Sequence, residues 1–400
     1  MNNRIFLDVH VLQTVPPSNL NRDDTGAPKS AVYGGVPRAR VSSQAWKRAT
    51  RAYFSDEHLL DPSELGVRTK KVAELLAARI TGLDPAIEGP AALLLGAEVV
   101  QAATGSKIEV PKRKADAAKD GEPVPAPESK YLMFLSARQL DGLAALAVEG
   151  KADIKAFLKD KEVKARAKKI ADTLHSVDIA LFGRMVADSA DINVDAAVQV
   201  AHAISVHRVD NESDYYTAVD DRNTDAEPGA GMIGTVDFNS ATLYRYAALG
   251  VHQLARNLGE GLRDDEPRTV PVRRAVEAFV HGFVSSLPTG KINTFGHHTL
   301  PDVVIVKLRA TRPISFVGAF EEPVAALQGS GHLREASDRL AEYIPDVERA
   351  YGDEESTLTW VLRVGANTEK LAGLGTQSVN LTKLVESVGQ AVTERLEKLA

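Results

Sequence analysis

IFLDVHVL, residues Ile5–Leu12, is a run of aliphatic and β-branched side chains in partial alternation, the pattern of a strand. A loop rich in Gly, Pro and Asn separates it from VSSQAWKRATR, residues Val41–Arg51, whose spacing is helical. Ser42 or Ser43 is suited to cap a helix that starts near Gln44, because a short hydroxyl side chain accepts from N–H groups that the first turn leaves unpaired. In that helix Gln44, Lys47, Arg48 and Arg51 recur at i, i+3, i+4 and i+7 and share one face. Ala45, Ala49, Ala52 and Tyr53 fall roughly opposite and are expected to face the protein. Between Arg38 and Arg51 stand five cations, Arg38, Arg40, Lys47, Arg48 and Arg51, and no acid. Surface helices usually interleave both signs, so the run reads as a phosphate-binding surface, to which an exposed helix N-terminus adds free N–H groups. An ordinary solvated helix with lysines is the alternative reading.

Four hundred residues suffice for two or three domains, and 44% hydrophobic with 26% charged residues is ordinary globular composition. With 48 Lys and Arg against 54 Asp and Glu, the net charge is −6. Such a chain does not coat nucleic acid indiscriminately, and any binding must come from local patches. The absence of cysteine removes disulfides, thiolate metal sites and cysteine nucleophiles together. Neither a signal peptide nor a bilayer-spanning apolar run is evident, so a cytoplasmic protein without a membrane partner is expected.

Further along, from about Asp61 to Lys169, the character changes to Ala, Leu and Lys at helical spacing. Within this stretch Gly105–Lys130, with several prolines among charges, reads as a mobile loop. Glu149–Lys169 carries eight Lys and Arg against four acids, including Lys159, Lys161 and Lys164. Strands are expected again at Val177–Met185 and Val198–Val209. The polar DNESD that follows, the pair Tyr215–Tyr216 and the Gly-rich segment Gly229–Gly234 suggest a projecting hairpin. Pro271 marks the start of a core helix with Val276, Phe279, Val280 and Phe283 on one side, and Val303–Leu308 is a further buried strand. Strands alternating with single helices around a helical insertion imply an α+β fold.

Familiar chemical motifs are missing. GAGMIG, Gly229–Gly234, has dinucleotide-loop spacing, but an acidic loop precedes it and the β-like TVDF follows, so no cofactor is expected. There is no P-loop, no HExxH and no GxSxG. Asp178, Asp188, Asp191 and Asp195 match no ordered ligand loop, so no metal is expected either. His202 or His207 could act as general acid or base in a metal-independent ribonuclease, although His202, among small apolar residues, is expected to be a packed structural residue, and His297–His298 to sit on a surface loop. Tyr215 and Tyr216, adjacent aromatics beside a polar loop, are placed to stack on bases. Met185 is core filler by default and an apolar wedge if its turn is exposed.

Six ordered blocks carry a family resemblance: LNRDD at Leu20–Asp24, VYGGVPRARVSSQAWKRATR at Val32–Arg51, VDIALFGRM at Val177–Met185, AHAISVHRVD at Ala201–Asp210, YYTAVDD at Tyr215–Asp221 and FNSATLYRYA at Phe238–Ala247. The chain resembles the CasC family, the repeated backbone subunit of type I-E CRISPR Cascade complexes. The resemblance implies a hand-like protein with a ferredoxin-like palm of RNA-recognition type, an inserted helical fingers domain and a thumb β-hairpin. On this sequence the palm would take residues 1–60, 198–208 and 241–400, the fingers 61–197 and the thumb 209–240. It further implies a non-catalytic subunit that stacks head to tail with copies of itself along one CRISPR RNA, beside other Cascade subunits, and presents bases to a target DNA strand. Arg22, Ser42, Gln44, Lys47 and Arg51 would hold the guide backbone, while Met185, Tyr215 and Tyr216 would interrupt the base stack. The basic run with Lys159, Lys161 and Lys164 is ordinarily a solvated face, and its alternative reading is a contact with target DNA outside the filament. Phosphate contacts and stacking carry little sequence information, as a subunit serving any guide requires. The runner-up is a metal-independent endoribonuclease of the same fold superfamily, and a third reading is a duplex-DNA regulator that places the Gln44–Arg51 helix in a major groove.

Overall fold

The computed structural model describes residues 4–113, 125–185, 192–218, 232–259, 266–325, 331–352 and 357–399. They are mixed α and β, and the chain divides into two compact units, one of residues 1–57, 199–251 and 276–400 and one of residues 58–198 and 252–275. The segment 252–275, which the sequence reading left in the palm, groups with the helical unit.

The first unit contains β1 (Phe6–Ser18), β2 (Ser30–Tyr33), β3 (Val36–Val41), α1 (Ser43–Asp56), β4 (Ala203–Ser205), β5 (Glu212–Ala218) and β6 (Met232–Gly250). It continues with the second half of α2 (Thr269–Ser285), then β7 (Val303–Arg309), α3 (Leu333–Tyr351), β8 (Leu358–Arg363) and α4 (Leu381–Glu397). The sheet runs β8, β7, β1, β6, β4, β3, β2, with the short strand Thr376–Gln377 outside β8. Neighbours from β8 to β2 are antiparallel. β1 lies in the middle and β7 is buried along its whole length, which explains their near-continuous apolar sequences. The β1 register slips between Val15 and Ser18, where Pro16 and Pro17 have no N–H to give the ladder, and there the chain leaves the sheet.

Alternation gives the sheet two faces. On one, Leu12, Tyr244, Ile305 and Val361 pack with Phe316, Phe320 and the α3 residues Leu340 and Ile344. On the other, Val15, Val41, Leu243 and Ala203 pack around Trp46 of α1. Arg245 lies buried on this second face, its guanidinium 3.7 Å from the Trp46 ring centre and 4.7 Å from that of Phe283. It donates to Gln13 Oε1 at 2.6 Å and to the Phe283 carbonyl. Toward the β7 side a charged network is buried: Arg309 donates to Asp8 and Glu348, Lys307 pairs with Glu348, and Tyr246 donates to Asp8.

The second unit is mostly helical. Helices Val72–Leu83, Gly89–Thr104, Ala137–Glu149 and Lys161–Ala171 share a core that includes Leu76, Ile80, Val99, Leu140, Leu143 and Ala167. Ser136 and Gln139 form a reciprocal capping box at the third of these. The middle of the loop expected at Gly105–Lys130 lies outside the described residues, while its ends pair as strands Ile108–Glu109 and Glu128–Ser129. Two strand expectations need correction. Val177–Phe182 is a helix that stops at Gly183, where φ is 78°, because an apolar run of this length is compatible with either state and burial on all sides decides. Val198–Val209 is broken into Val198–Val200 and Ala203–Ser205.

Candidate nucleic-acid interface

Ser42 caps α1: its Oγ accepts from the Ala45 N–H at 3.3 Å, and its own N–H donates to Asn21 Oδ1 at 2.9 Å. The inward face is Trp46, Thr50 and Phe54. The expected inward face is therefore corrected at Ala49, Ala52 and Tyr53, whereas half-buried Ala45 does pack against the Trp46 cluster. Two aromatic rings gain far more from leaving water than alanine methyls do, so they take the core and leave Ala49 and Ala52 to line an open groove. Gln44 and Arg48 are exposed, and Lys47 and Arg51 are half-buried on the flank. Partial burial lowers the Lys47 pKa from its ordinary value.

The groove has a volume of about 1530 Å³. Gln44, Ala45, Arg48, Ala49 and Ala52 of α1 form one wall, the loop Leu20–Gly26 with Lys29 another, and the segment Ser285–Ile292 with Thr299 and Leu300 a third. Arg22 stands in the second wall. Asp23 braces that loop by accepting from the Thr25 N–H at 2.9 Å, the Thr25 hydroxyl at 2.7 Å and the Ala27 N–H at 3.0 Å. Those bonds hold its carboxyl below the ordinary pKa. Lys29, Lys291 and His298 also line the groove; sequence reading placed His298 on a surface loop but did not single out the two lysines. They lie on loops without periodicity, so only the folded chain brings them to α1.

Arg38 does not belong to this surface. It is fully buried and donates to the carbonyl oxygens of Tyr33 at 3.1 Å, Ser205 at 2.9 Å, Phe320 at 2.9 Å and Glu321 at 3.2 Å. On β3, Arg38 and Arg40 are two apart and would share a face of a flat strand. Arg40 instead stays half-exposed, giving one N–H to the Ser30 carbonyl and lying 3.1 Å from His202 Nδ1. His202 is correspondingly exposed, not packed in a strand, and its pKa is lowered by desolvation and by the Arg40 and Lys29 charges. His207 is buried: Nδ1 lies 2.8 Å from the Arg208 carbonyl, Nε2 accepts from the Thr242 N–H, and the ring stacks on His332 at 3.7 Å. Desolvation lowers its pKa to about 4. With both nitrogens engaged, His207 is unsuited to exchange protons with a substrate. His297 is buried, correcting its expected surface position, while His298 is exposed.

β5 and the start of β6 pair antiparallel from Glu212↔Phe238 to Ala218↔Met232, and residues 219–231, including Gly229 and Gly231 of the Gly-rich segment, lie outside the described residues. Tyr215 is 61% exposed and Tyr216 40%. Adjacent residues of a strand point to opposite faces, so the two tyrosines cannot form one platform. Tyr216 lies over Gly234, where an added Cβ would collide with the phenol ring. Tyr215 shares its face with Ile233, which is 60% exposed and was not singled out in the sequence. The ribbon base is tied to the groove loop: Asn19 donates to the Asp237 carbonyl at 2.8 Å and to that of Gly26 at 3.0 Å.

In the second unit Met185 is 84% exposed, so it is not core filler. The preceding Arg184 is buried and donates to the Ile192 and Ala171 carbonyls at 2.8 and 2.9 Å. Asp178 is likewise structural, accepting from Gly66 N–H and the Ser176 hydroxyl, and Asp188 and Asp191 lie outside the described residues. Lys159, Lys161 and Lys164 are exposed, whereas Lys151, Lys155 and Arg166 of the same basic stretch pair with Asp84, Glu98 and Glu149. Among the described residues no helix is long and apolar enough to cross a membrane.

The arrangement suits a polyanionic strand. Residues 7–387 match the family model of the CT1975-like protein. The chain is similar to a chain of a "CRISPR RNA-guided surveillance complex, pre-nicking", with 33% identity over 97% of this chain and 100% of that one, at a TM-score of 0.80. A chain of a second "CRISPR RNA-guided surveillance complex" shares 30% identity over 96% and 99% of the two chains, at a TM-score of 0.70. No curated protein matches. A match spanning nearly the whole chain, on a fold shared at this identity, settles the family: the chain belongs to the CT1975-like Cas proteins.

Proposed function

We propose that this chain is a non-catalytic RNA-binding backbone subunit of a Cascade-type surveillance complex, of the CasC kind found in type I-E systems, which polymerises along a guide RNA in the cytoplasm. The observation that carries the reading is the groove beside α1, where exposed Gln44 and Arg48 face hydroxyl-bearing residues across an open channel. The relatives are chains of complexes guided by CRISPR RNA, which supports the same ligand. A ferredoxin-like palm is supported by the neighbouring order β7, β1, β6, β4, with antiparallel partners throughout. The ribbon of β5 and β6 serves as thumb, with Tyr215 and Ile233 on one face, and Met185 supplies the second apolar contact. The exposed lysines Lys159, Lys161 and Lys164 meet the target DNA strand.

A head-to-tail interface between identical copies generates an open filament, which matches a linear guide and leaves length to be set by other subunits. Mass measurement of the purified particle with and without co-expressed guide RNA tests this. Growth into a multi-copy particle that retains RNA is expected, and a monomer of unchanged mass without RNA would overturn the assembly. Exposed His202 keeps the endoribonuclease alternative testable: incubation with labelled repeat RNA is expected to leave it intact, and specific cleavage abolished by His202→Ala would replace the binding reading with an enzymatic one.

A further inference from the structure

The ribbon of β5 and β6 has little of the sheet to hold it. The last pair between β1 and β6 is Ser18↔Asn239, and from Phe238 to Met232 the described pairs of β6 are with β5. Side-chain amides at the base of the ribbon set its direction instead. Asn19 is fully buried, and its one Nδ2 donates to two separate elements: the Gly26 carbonyl of the groove loop at 3.0 Å and the Asp237 carbonyl of β6 at 2.8 Å. A second tie runs beside it, since Asn239 donates to Asn211 Oδ1 at 2.9 Å and Asn211 donates to the Pro28 carbonyl at 3.3 Å. The loop is in turn fixed to α1. Asn21 Oδ1 accepts from the Ser42 N–H and the Asn21 carbonyl from the Lys29 N–H, both at 2.9 Å. From the other side Gly290 approaches so closely that a Cβ would strike the Asn19 and Leu20 carbonyl oxygens.

Asn19 Oδ1, equally buried, finds no donor among the described residues. A buried acceptor without a partner lowers stability, so this side chain is favoured for what its two donors do. We infer that Asn19 is a positioning residue that holds the ribbon in register with the groove, so that Tyr215 meets the bases of a strand whose backbone lies against α1. The inference rests on the RNA-binding reading and adds the link between its two contact surfaces. Two carbonyls held by one planar NH2 cannot shift against each other without breaking a hydrogen bond, because both bonds are directional. The neighbouring contact of Phe238 with Phe295, 5.8 Å between ring centres, is apolar and tolerates such a shift. Keeping both surfaces in one arrangement removes the ordering that a strand touching both would otherwise have to impose.

The test uses full-length wild type, Asn19→Ala, Asn211→Ala and Tyr215→Ala with two guide-length probes, a uridine homopolymer and a ribose–phosphate strand of the same length without bases. Both offer the same phosphates, and only the first can stack. Asn19→Ala is expected to weaken uridine binding at least about fivefold, the lower end of what one stacked base contributes, and to leave the abasic strand within about twofold of wild type. The slope of log K against log salt is expected to keep its wild-type value for both probes, because no phosphate contact is lost. Added to Tyr215→Ala, Asn19→Ala should weaken uridine binding by less than about twofold, since the contact it positions is already gone. Equal weakening of both probes would mean that Asn19 supports only the fold or the groove loop, and would overturn the inference while the RNA reading stands. No change with either probe would overturn it too. Should Asn19→Ala melt far below wild type, Asn211→Ala, at an exposed residue, carries the same comparison, and a failure to distinguish the probes there has the same meaning. If wild type binds neither probe in a salt-dependent way, the RNA reading and the inference fall together.

Discussion

Arg38 and Arg48 come from one basic run, yet they answer to different forces. Arg48 is exposed at the groove, where its charge costs nothing in solvation and is free for a phosphate. Arg38 has its guanidinium among four backbone carbonyls, a set that no other side chain could satisfy with one planar fork. Arg38→Met would leave those oxygens without donors, and buried orphaned acceptors cost about 1 to 3 kcal/mol each before relaxation. A loss of at least about 3 kcal/mol in urea unfolding is expected, with the salt slope of RNA binding unchanged for the molecules that remain folded. Arg48→Ala should behave oppositely: stability within about 0.5 kcal/mol of wild type and a slope lowered by about 0.7. A lowered slope for Arg38→Met at full folding would return Arg38 to the binding surface.

Helix α1 has one face in the core and another open to the groove. Trp46 docks against Arg245 and Phe283, and this anchoring decides which side of the helix remains open. Trp46→Ala is expected to cost about 3 to 5 kcal/mol in chemical unfolding, because the cavity and the lost contact with a buried cation add. Ala49→Ser, on the groove side, should stay within about 1 kcal/mol. The helix and a cap at Ser42 or Ser43 were legible from spacing, since capping and periodicity are local, whereas of the four polar positions only Gln44 and Arg48 are exposed in the groove. Its inward face was misread because Trp46 and Phe54 lie off the alanine stripe, and the pocket that receives Trp46 comes from β6 and α2. Likewise the burial of Arg38 depends on carbonyls at 205, 320 and 321, far along the chain, which no local pattern announces. In the ribbon of β5 and β6, local alternation suffices: Tyr215 and Tyr216 must diverge. Tyr215→Ala is expected to weaken binding of unrelated single-stranded RNAs alike by about 1 to 3 kcal/mol, the worth of one stacked base. A loss confined to one sequence, seen in homopolymer titrations, would mean base-edge readout instead.

The sheet unit as a whole carries buried ionisable groups that pull in opposite directions with pH, and its stability follows their balance. Desolvation holds the His207 pKa at about 4, below its ordinary 6.5, with His332 and Arg38 adding to the cost of charging it. The folded state therefore binds fewer protons than the unfolded chain between these values, and stability is lost as pH falls through them. Between pH 7 and pH 5 the loss from His207 is about 2 kcal/mol. Buried His10 acts in the same direction, its pKa lowered by desolvation and by Arg309 and Lys307. Asp8 opposes them: burial raises its pKa to about 6 despite Arg309, so its folded form takes up a proton that the unfolded chain at the same pH does not. Its contribution rises by about 1 kcal/mol over the same interval. Both tryptophans of the chain, Trp46 and Trp360, lie in this unit, so tryptophan fluorescence during urea unfolding follows it alone. Wild type should be less stable at pH 5 than at pH 7. His207→Gln should shrink that difference by about 2 kcal/mol, and Asp8→Asn should widen it by about 1 kcal/mol, whatever either substitution does to stability at pH 7. Parallel pH profiles for all three proteins would mean that neither group titrates out of its folded environment in this range, and that the acid sensitivity of the sheet arises elsewhere.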